Sequence, residues 1–383
     1  ALTSPLIQDA EKHPHVVTGD GQMSDSGQPT KTIPDFEATL TKADTSVASF
    51  ETEHLGGLQR LRIFLQAYPV AVPIFVLLIS ILLFGFTTDG KIFLPGNLST
   101  ILKQITPIGI VAIAQTIIII TAGIDLSIGA IMVLSSIVMG KLAVQVGVPA
   151  PAAMAIGFFA GGLMGYINGL LVTRLRLPPF IVTLGTLYIY QALKLWYSGS
   201  ESIRNTDTEA AAPLLIWFGN VISIGGFQIL YGTIAFLLLA WLMSYVLKHT
   251  AWGRHVYAVG DDLNGAMLSG VQTDKVLRSV YAVAGVIAAF AGLVLIGRVG
   301  GTITPLAGET ANLDSITAVV IGGTSLFGGR GTIIGSVLGA IIVGVFRFGL
   351  SLSKVDVLWQ DFTVGILIIA AVAIDQWIRK ASN

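Results

Sequence analysis

The sequence of 383 residues contains no cysteine and little charge. Without cysteine the chain cannot form disulfide bonds or thiolate metal sites. Only 11% of its residues are charged, against about 25% in a typical soluble chain. The 22 basic and 22 acidic side chains balance each other, so no overall field indicates nucleic acid as a partner.

Several motifs that carry chemistry are also missing. The sequence has no G-x-x-x-x-G-K-[ST] phosphate loop, so this chain is not expected to hydrolyse ATP itself. It has no H-E-x-x-H, no zinc-ligand spacing and no nucleophile elbow, so we predict no catalytic residue, no metal site and no enzyme activity. No pore ring or filter typical of an aqueous channel is visible.

The chain is instead rich in apolar residues and glycine. Hydrophobic residues make up 53% of it, the mean hydropathy is +0.79, and 44 residues are glycine. This composition predicts an all-α integral membrane protein with closely packed helices. Acids are too sparse in the apolar segments for a proton relay, with Asp125 as the main candidate. An ion-coupled secondary transporter of a small polar solute, acting without an ATPase, is therefore the alternative function.

The composition changes along the chain and predicts its organisation. Residues 1–54 are polar and without apolar periodicity, which is typical of a disordered tail, here a cytoplasmic one. Residues 55–66 predict a short interfacial helix. Residues 67–380 form the transmembrane domain, interrupted by an outer loop at 199–227 and a cytoplasmic loop at 249–276.

Long apolar runs predict the membrane crossings. Nine clear spans are expected at 67–87, 101–121, 126–146, 151–173, 179–198, 228–248, 277–297, 332–352 and 358–378. The segment 314–329 is apolar but too short and glycine-rich for a plain helix. Basic residues near the ends of the spans fall on one side only if this segment also crosses. The sequence therefore predicts about ten crossings, one short or broken, with both termini cytoplasmic.

The loop 249–276 contains a candidate docking element. The stretch "DDLNGAMLSG" predicts a short helix with Asp261 or Asp262 as its N-cap and Gly270 as its stop. Glycines at 253, 260 and 265 punctuate the rest of the loop. A solvated connection and a docking helix for a cytoplasmic partner both fit this pattern.

The segment "GRHVYAVGDDLNGAMLSGV" (253–271) resembles the ATPase-coupling segment of permease subunits from ABC importers of the ribose/xylose/fructose/galactose type. "AGIDLSIGAIM", "LRLPPFIVTLGTL" and "DSITAVVIGGTSLFGGRGTIIGSVLGA" resemble the same family, in the same order. The segment departs from the family pattern at Asp262 and Gly265, where Asn and Ala are usual. The resemblance covers about residues 55–380.

The resemblance implies a function and partners. The chain would be the permease subunit of an importer in the bacterial inner (plasma) membrane, moving a monosaccharide, fructose or ribose first. A cytoplasmic ATP-binding subunit would bind and hydrolyse ATP, so this chain needs no cofactor of its own. A periplasmic sugar-binding protein would deliver the substrate to the outer side, where 199–227 is the periplasmic loop. The permease would pair with a second copy or a paralogue within the lipid bilayer.

Four sets of residues are candidates for function. The coupling-loop set is Gly253, Arg254, His255, Gly260, Asp261, Asp262, Ala266 and Gly270. The broken-helix set is Gly322, Gly323, Gly328, Gly329, Arg330 and Gly331. The family-motif turn is Gly123, Asp125, Ser127 and Gly129. The candidate pathway-lining residues are Gln115, Thr116, Asn168, Thr183, Thr186, Tyr190 and Gln191, although bonding between helices explains each of them singly.

Asp125 has two interpretations. It lies between two predicted spans, where Gly123 would stop the first helix and Asp125 would cap the second by accepting free N–H groups. In the other interpretation the turn penetrates the bilayer, and Asp125 pairs with Arg330 of the glycine-rich segment.

Overall fold

The computed structural model describes residues 70–308 and 310–379. The predicted tail at 1–54 and the predicted interfacial helix at 55–66 lie outside the described residues. The part of the chain that is described folds mainly into α-helices.

The helices follow one another through short connections. In chain order they are α1 (Ala71–Thr87), α2 (Pro95–Ile120), α3 (Ile128–Gly140), α4 (Ala150–Arg174), α5 (Pro179–Ser198), α6 (Asn205–Ala211), α7 (Tyr231–His249), α8 (Ala251–Asp261), α9 (Leu263–Leu268), α10 (Thr273–Arg298), α11 (Ala311–Ile321), α12 (Ile333–Leu352) and α13 (Val357–Arg379). The wider turn at Lys141–Gln145 extends α3 as a π-helix.

Each predicted span coincides with one of these helices. Six of them are long and apolar enough to cross a membrane, namely Pro95–Ile120, Ile128–Gln145, Ala150–Arg174, Tyr231–His249, Thr273–Arg298 and Ile333–Leu352. The expected short element is α11, which ends at Ile321, where the glycine-rich segment begins. The prediction of a membrane protein with several spanning helices is thus supported, whereas the number of ten crossings stays a prediction.

The two loops contain more structure than the sequence indicated. The loop 199–227 holds α6, a 3₁₀-helix at Pro213–Gly219 and the first strand of a β-hairpin. Strands β1 (Val221–Ile224) and β2 (Phe227–Leu230) pair antiparallel around Gly225 and Gly226, both at positive φ. The described chain is therefore not purely α-helical, because two glycines provide the turn that a hairpin needs.

The centre of the bundle is α10, which packs against α2, α3 and α4. Glycines at 157, 161, 165 and 169 repeat every fourth residue of α4. A Cβ added to Gly165 would lie 2.1 Å from the carbonyl oxygen of Tyr281, and one added to Gly285 would lie 2.1 Å from that of Gly161. The two helices therefore touch backbone to backbone, as small residues allow in a membrane.

Candidate functional site

Three of the glycine-rich motifs, although far apart in sequence, meet at one end of the bundle. The end of α2, the helix α8 and the segment 322–332, here called the GG loop, lie against one another. The N–H of Gly329 donates to the carbonyl oxygen of Ile120 at 2.9 Å. The hydroxyl of Tyr257 on α8 donates to the carbonyl oxygen of Gly331 at 2.8 Å. The loop 249–276 is thus bonded directly to the GG loop.

Helix α8 was not predicted, and it changes the interpretation of two glycines. Gly253 and Gly260 lie inside α8 and are buried, so they do not interrupt the chain as stops. A Cβ on Gly253 would lie 2.2 Å from the carbonyl oxygen of Leu247, and one on Gly260 would lie 1.7 Å from that of Ile120. Close approach between backbones explains why these positions hold glycine. Thr250 caps the helix by accepting the N–H of Gly253 at 3.1 Å.

Tyr257 is a residue that the sequence interpretation missed. Its hydroxyl forms a hydrogen bond from α8 to the GG loop, at Gly331. Burial raises the pKa of Tyr257 above its usual value, so the phenol stays protonated and remains a donor. The only signal in the sequence was an aromatic residue inside the quoted coupling segment.

The GG loop takes a conformation that glycine favours. Gly323, Gly328 and Gly329 have φ of 81°, 84° and 71°. A Cβ on Gly322 would lie 2.4 Å from the carbonyl oxygen of Gly335, so α11 and α12 approach closely here. The side chain of Arg330 is exposed, and its carbonyl oxygen accepts the N–H of Ser325 at 3.0 Å.

Asp125 forms local bonds at the start of α3. Its carboxylate accepts the N–H of Ser127 at 2.6 Å and the hydroxyl of Ser127 at 2.7 Å. The amide of Asn168 on α4 donates to it at 3.3 Å. The bond from the N–H of Ser127 to the side chain of Asp125 forms an Asx-turn, which lies directly before the first residue of α3, Ile128. Within the described residues no ion pair joins Asp125 to Arg330.

The end of α2 differs in one detail from the expected glycine stop. Ala122, with φ of 59°, is the residue in the left-handed conformation, and the N–H of Gly123 donates to the carbonyl oxygen of Ile118 at 3.1 Å. Gly123 is needed for space instead, because a Cβ there would lie 2.9 Å from the hydroxyl of Tyr281. On α3 the N–H of Gly129 donates to the side-chain oxygen of Asn312.

The fourth motif joins the same turn through α5. The hydroxyl of Thr183 donates to the carbonyl oxygen of Ile124 at 3.0 Å and accepts the N–H of Leu126 at 3.2 Å. Gln115 bonds the main chain of Asp125 when its side-chain amide is oriented so that the nitrogen faces the carbonyl oxygen and the oxygen faces the N–H. The nitrogen then donates to that carbonyl oxygen and the oxygen accepts that N–H, each at 3.2 Å.

The candidate pathway-lining residues mostly form the bonded interior around this turn. Gln191 is half-buried, whereas the others are buried. The hydroxyl of Tyr190 donates to the carbonyl oxygen of Met164 at 3.0 Å, and that of Thr116 donates to Ser336 at 2.7 Å. That of Thr186 lies 3.4 Å from the carbonyl oxygen of Thr183. Bonds to other helices thus account for Thr116 and Tyr190, whereas the bond of Thr186 lies within α5. A contact of these residues with a transported solute stays a prediction.

Helix α9 has the predicted ends. The carboxylate of Asp262, and not that of Asp261, caps it by accepting the N–H of Asn264 at 2.9 Å. Gly270 follows its end with φ of 85°. Within α9, Ala266 is buried on the side that faces the bundle, while Asp261, Arg254 and His255 are exposed nearby. No group of three His, Asp or Glu side chains in the described residues could hold a metal ion.

The chain matches known proteins over most of its length. Residues 97–372 match the family model described as branched-chain amino acid transport system / permease component. The fructose import permease protein of Rhizobium meliloti is 49% identical over 94% of this chain and 99% of its own length. The ribose import permease protein of Bacillus subtilis (strain 168) is 36% identical over 84% and 94%. The D-allose transport system permease protein of Escherichia coli (strain K12) is 35% identical over 80% and 91%. No solved structure matches. The chain therefore belongs to this family of transport-system permease components.

Proposed function

We propose that the chain is the permease subunit of a binding-protein-dependent ABC importer that moves a monosaccharide into the bacterial cytoplasm. ATP is bound and hydrolysed by a separate cytoplasmic subunit, and a periplasmic sugar-binding protein delivers the substrate. A second permease copy or paralogue completes the pathway in the inner membrane. Both termini and α9 face the cytoplasm, and about ten crossings, one of them short, span the bilayer.

The observation that carries this proposal is the exposed apolar face of α9. Leu263, Met267 and Leu268 are 49%, 58% and 87% exposed. Their spacing puts them near one another on the helix surface, whereas Ala266 faces the bundle. The helix lies between the spanning helices α7 and α10 and has only six residues. It is therefore too short to cross the hydrocarbon of the bilayer. Exposed apolar side chains on such an element favour a protein partner, and the ATPase is the partner that the family provides.

The contacts behind α9 give this partner a route to the bundle. Helix α8 precedes α9 and contacts the end of α2 and the GG loop through Gly260 and Tyr257. A displacement of α9 by the ATPase would therefore move α8 against both segments. The packed bundle has two arrangements, open to either side, and the ATPase and the binding protein stabilise them differently.

The substrate we favour is D-fructose. The identity of 49% with a fructose import permease exceeds the 36% with a ribose import permease, so ribose is the second choice. The test is uptake of each labelled sugar into proteoliposomes that contain this chain together with its ATPase and its binding protein. Uptake should require ATP and both partners. Uptake by the chain alone, driven by an ion gradient, would instead establish a secondary transporter.

A substitution on α9 tests the docking role directly. Ala266→Glu places a charge in the buried contact beneath α9, and should abolish sugar uptake and co-purification of the ATPase while the permease still inserts. Ala266→Ser is the matched control, because it adds one small polar atom and should keep both. Normal uptake and normal co-purification with Ala266→Glu would refute α9 as the docking element.

A further inference from the structure

A cavity of about 300 Å³ opens between α2, α3, α10, α11 and α12. The polar groups on its wall are Gln104, Arg298, Thr310, Asp314 and Arg347. None of them belongs to the candidate sets drawn from the sequence, and none takes part in the contacts around the GG loop. Pro107, Ile108, Met132 and Leu295 provide an apolar wall.

The cavity lies at the opposite end of the bundle from α9. Gln104 precedes Ile120 on α2 by about 24 Å along the axis, at the helical rise of about 1.5 Å per residue. Arg298 ends α10, whose first residue, Thr273, lies in the loop 249–276, shortly after α9. With α9 on the cytoplasmic side, the cavity therefore belongs to the outer half of the membrane domain.

The charges in the cavity are organised around Asp314. Its carboxylate is buried and forms an ion pair with Arg347 at 2.6 Å, and it accepts the hydroxyl of Thr310 at 2.9 Å. Arg347 also meets Asp361 of α13 at 3.2 Å. Arg298 adds a second guanidinium to the wall. Asp361 lies outside the cavity wall, but its contact with Arg347 adds a second carboxylate to the cluster. Two guanidinium groups and two carboxylates then balance, so the cluster suits an uncharged ligand better than an ion.

Such a cluster is not expected to face lipid. Ionisable side chains in membrane-spanning helices usually face a water-filled cavity and mark a pathway for solutes. Carboxylate and guanidinium groups bond well to neighbouring hydroxyls, and an apolar wall suits the C–H face of a sugar ring. A volume of about 300 Å³ is at the small end of ligand pockets, which matches one sugar unit.

We infer that this cavity is a binding site for a monosaccharide on its way through the permease, with Asp314, Arg298 and Arg347 as the groups that bond its hydroxyls. The site holds the sugar after release from the binding protein and before the inner side opens. This inference rests on the proposed import of a monosaccharide.

The absence of native cysteine allows a direct test of access. Ile108→Cys gives this chain a single thiol, on the apolar wall of the cavity, and the modification of this chain is followed in the complete transporter in proteoliposomes. A membrane-impermeant thiol reagent added on the binding-protein side should modify it, and D-fructose at high concentration should slow the modification several-fold, whereas potassium chloride should not. Glu201→Cys, at an exposed residue of the loop 199–227, is the matched control for a thiol outside the cavity; the reagent should modify it as well, and fructose should not slow that modification.

A second measurement tests the charged groups. Arg298→Gln should lower the rate of ATP-driven fructose uptake about ten-fold, the effect of losing a charged hydrogen bond in a step that it stabilises. Lys91→Gln removes a charge at an exposed pair on the same side and should stay within about two-fold of wild type.

The wild-type transporter is assayed first. If it shows no ATP-driven uptake, the proposed function as an ABC importer is refuted, and that result is distinct from a failure of the sugar site in the cavity. If wild type transports, an unreactive Ile108→Cys thiol overturns the inference. Protection by salt as strong as protection by fructose, or an Arg298→Gln variant with wild-type uptake, would do the same.

Discussion

Replacement of Gly260 by alanine should separate α8 from the end of α2. The added methyl would lie 1.7 Å from the carbonyl oxygen of Ile120 and 2.8 Å from the backbone nitrogen of Gly329, whereas ordinary contact begins at 3.4 Å. All these atoms belong to backbone, so no side chain can rotate away. The two helices must part by well over an ångström, and the bond between Gly329 and Ile120 lies in the path of that movement.

The magnitude follows from two contributions. Overpacking of a close contact costs about 1–3 kcal/mol, and loss of the hydrogen bond from Gly329 to Ile120 adds about 1 kcal/mol. We therefore expect a local destabilisation of about 2–4 kcal/mol. The midpoint of thermal unfolding in detergent should fall by several degrees, and ATP-driven sugar uptake should fall more than ATP hydrolysis, because α9 loses its firm support.

The matched control is Gly185→Ala on α5. A Cβ there meets nothing within 4 Å, so the helix should gain stability by up to about 1 kcal/mol. If Gly260→Ala and Gly185→Ala have the same unfolding midpoint and the same uptake, the close contact between α8 and α2 does not support coupling, and the reasoning fails.

Three further changes have defined outcomes. Asp125→Asn keeps an acceptor for the N–H of Ser127, so uptake should stay within a few-fold of wild type; complete loss in a folded variant would show that the charge itself is required. Tyr281→Phe removes a buried hydroxyl that has no partner among the described residues, and should raise the unfolding midpoint by about 2 °C, for a gain of up to about 1 kcal/mol; a lower midpoint would reveal a bond to this hydroxyl. Leu268→Asp on the exposed face of α9 should weaken co-purification of the ATPase without changing the unfolding midpoint; equal recovery of the ATPase would remove Leu268 from the docking surface.

The spanning helices were predictable because their signal is local. Long apolar runs predicted each of the six helices that are long and apolar enough to cross a membrane, and the pattern around Asp262 and Gly270 predicted both ends of α9. These features depend on residues within one turn of each other, so the sequence contains all that is needed to predict them.

The groups that depend on distant contacts could not be predicted in this way. Gly260 was interpreted as a break, because its neighbour Ile120 is far away in sequence. Arg347 was not singled out, although a lone arginine in an apolar helix is an unusual residue, and its partner Asp314 lies on another helix. The bonded group around Asp125 gathers Gln115, Asn168 and Thr183 from three helices. Only the fold brings such residues together.

The contact between α8 and its neighbours relies mainly on main-chain atoms, with Tyr257 as the side chain that reaches across. The carbonyl of Ile120 and the N–H of Gly329 are main-chain groups, which do not depend on the side chain at either position. Surrounding side chains can therefore change without altering the geometry of this junction, as long as glycine keeps the backbones close. In a saturation mutagenesis experiment, intolerance should concentrate at a few glycines here, while adjacent positions accept many amino acids. A coupling segment built in this way could be transplanted between permeases whose surrounding sequences have diverged widely.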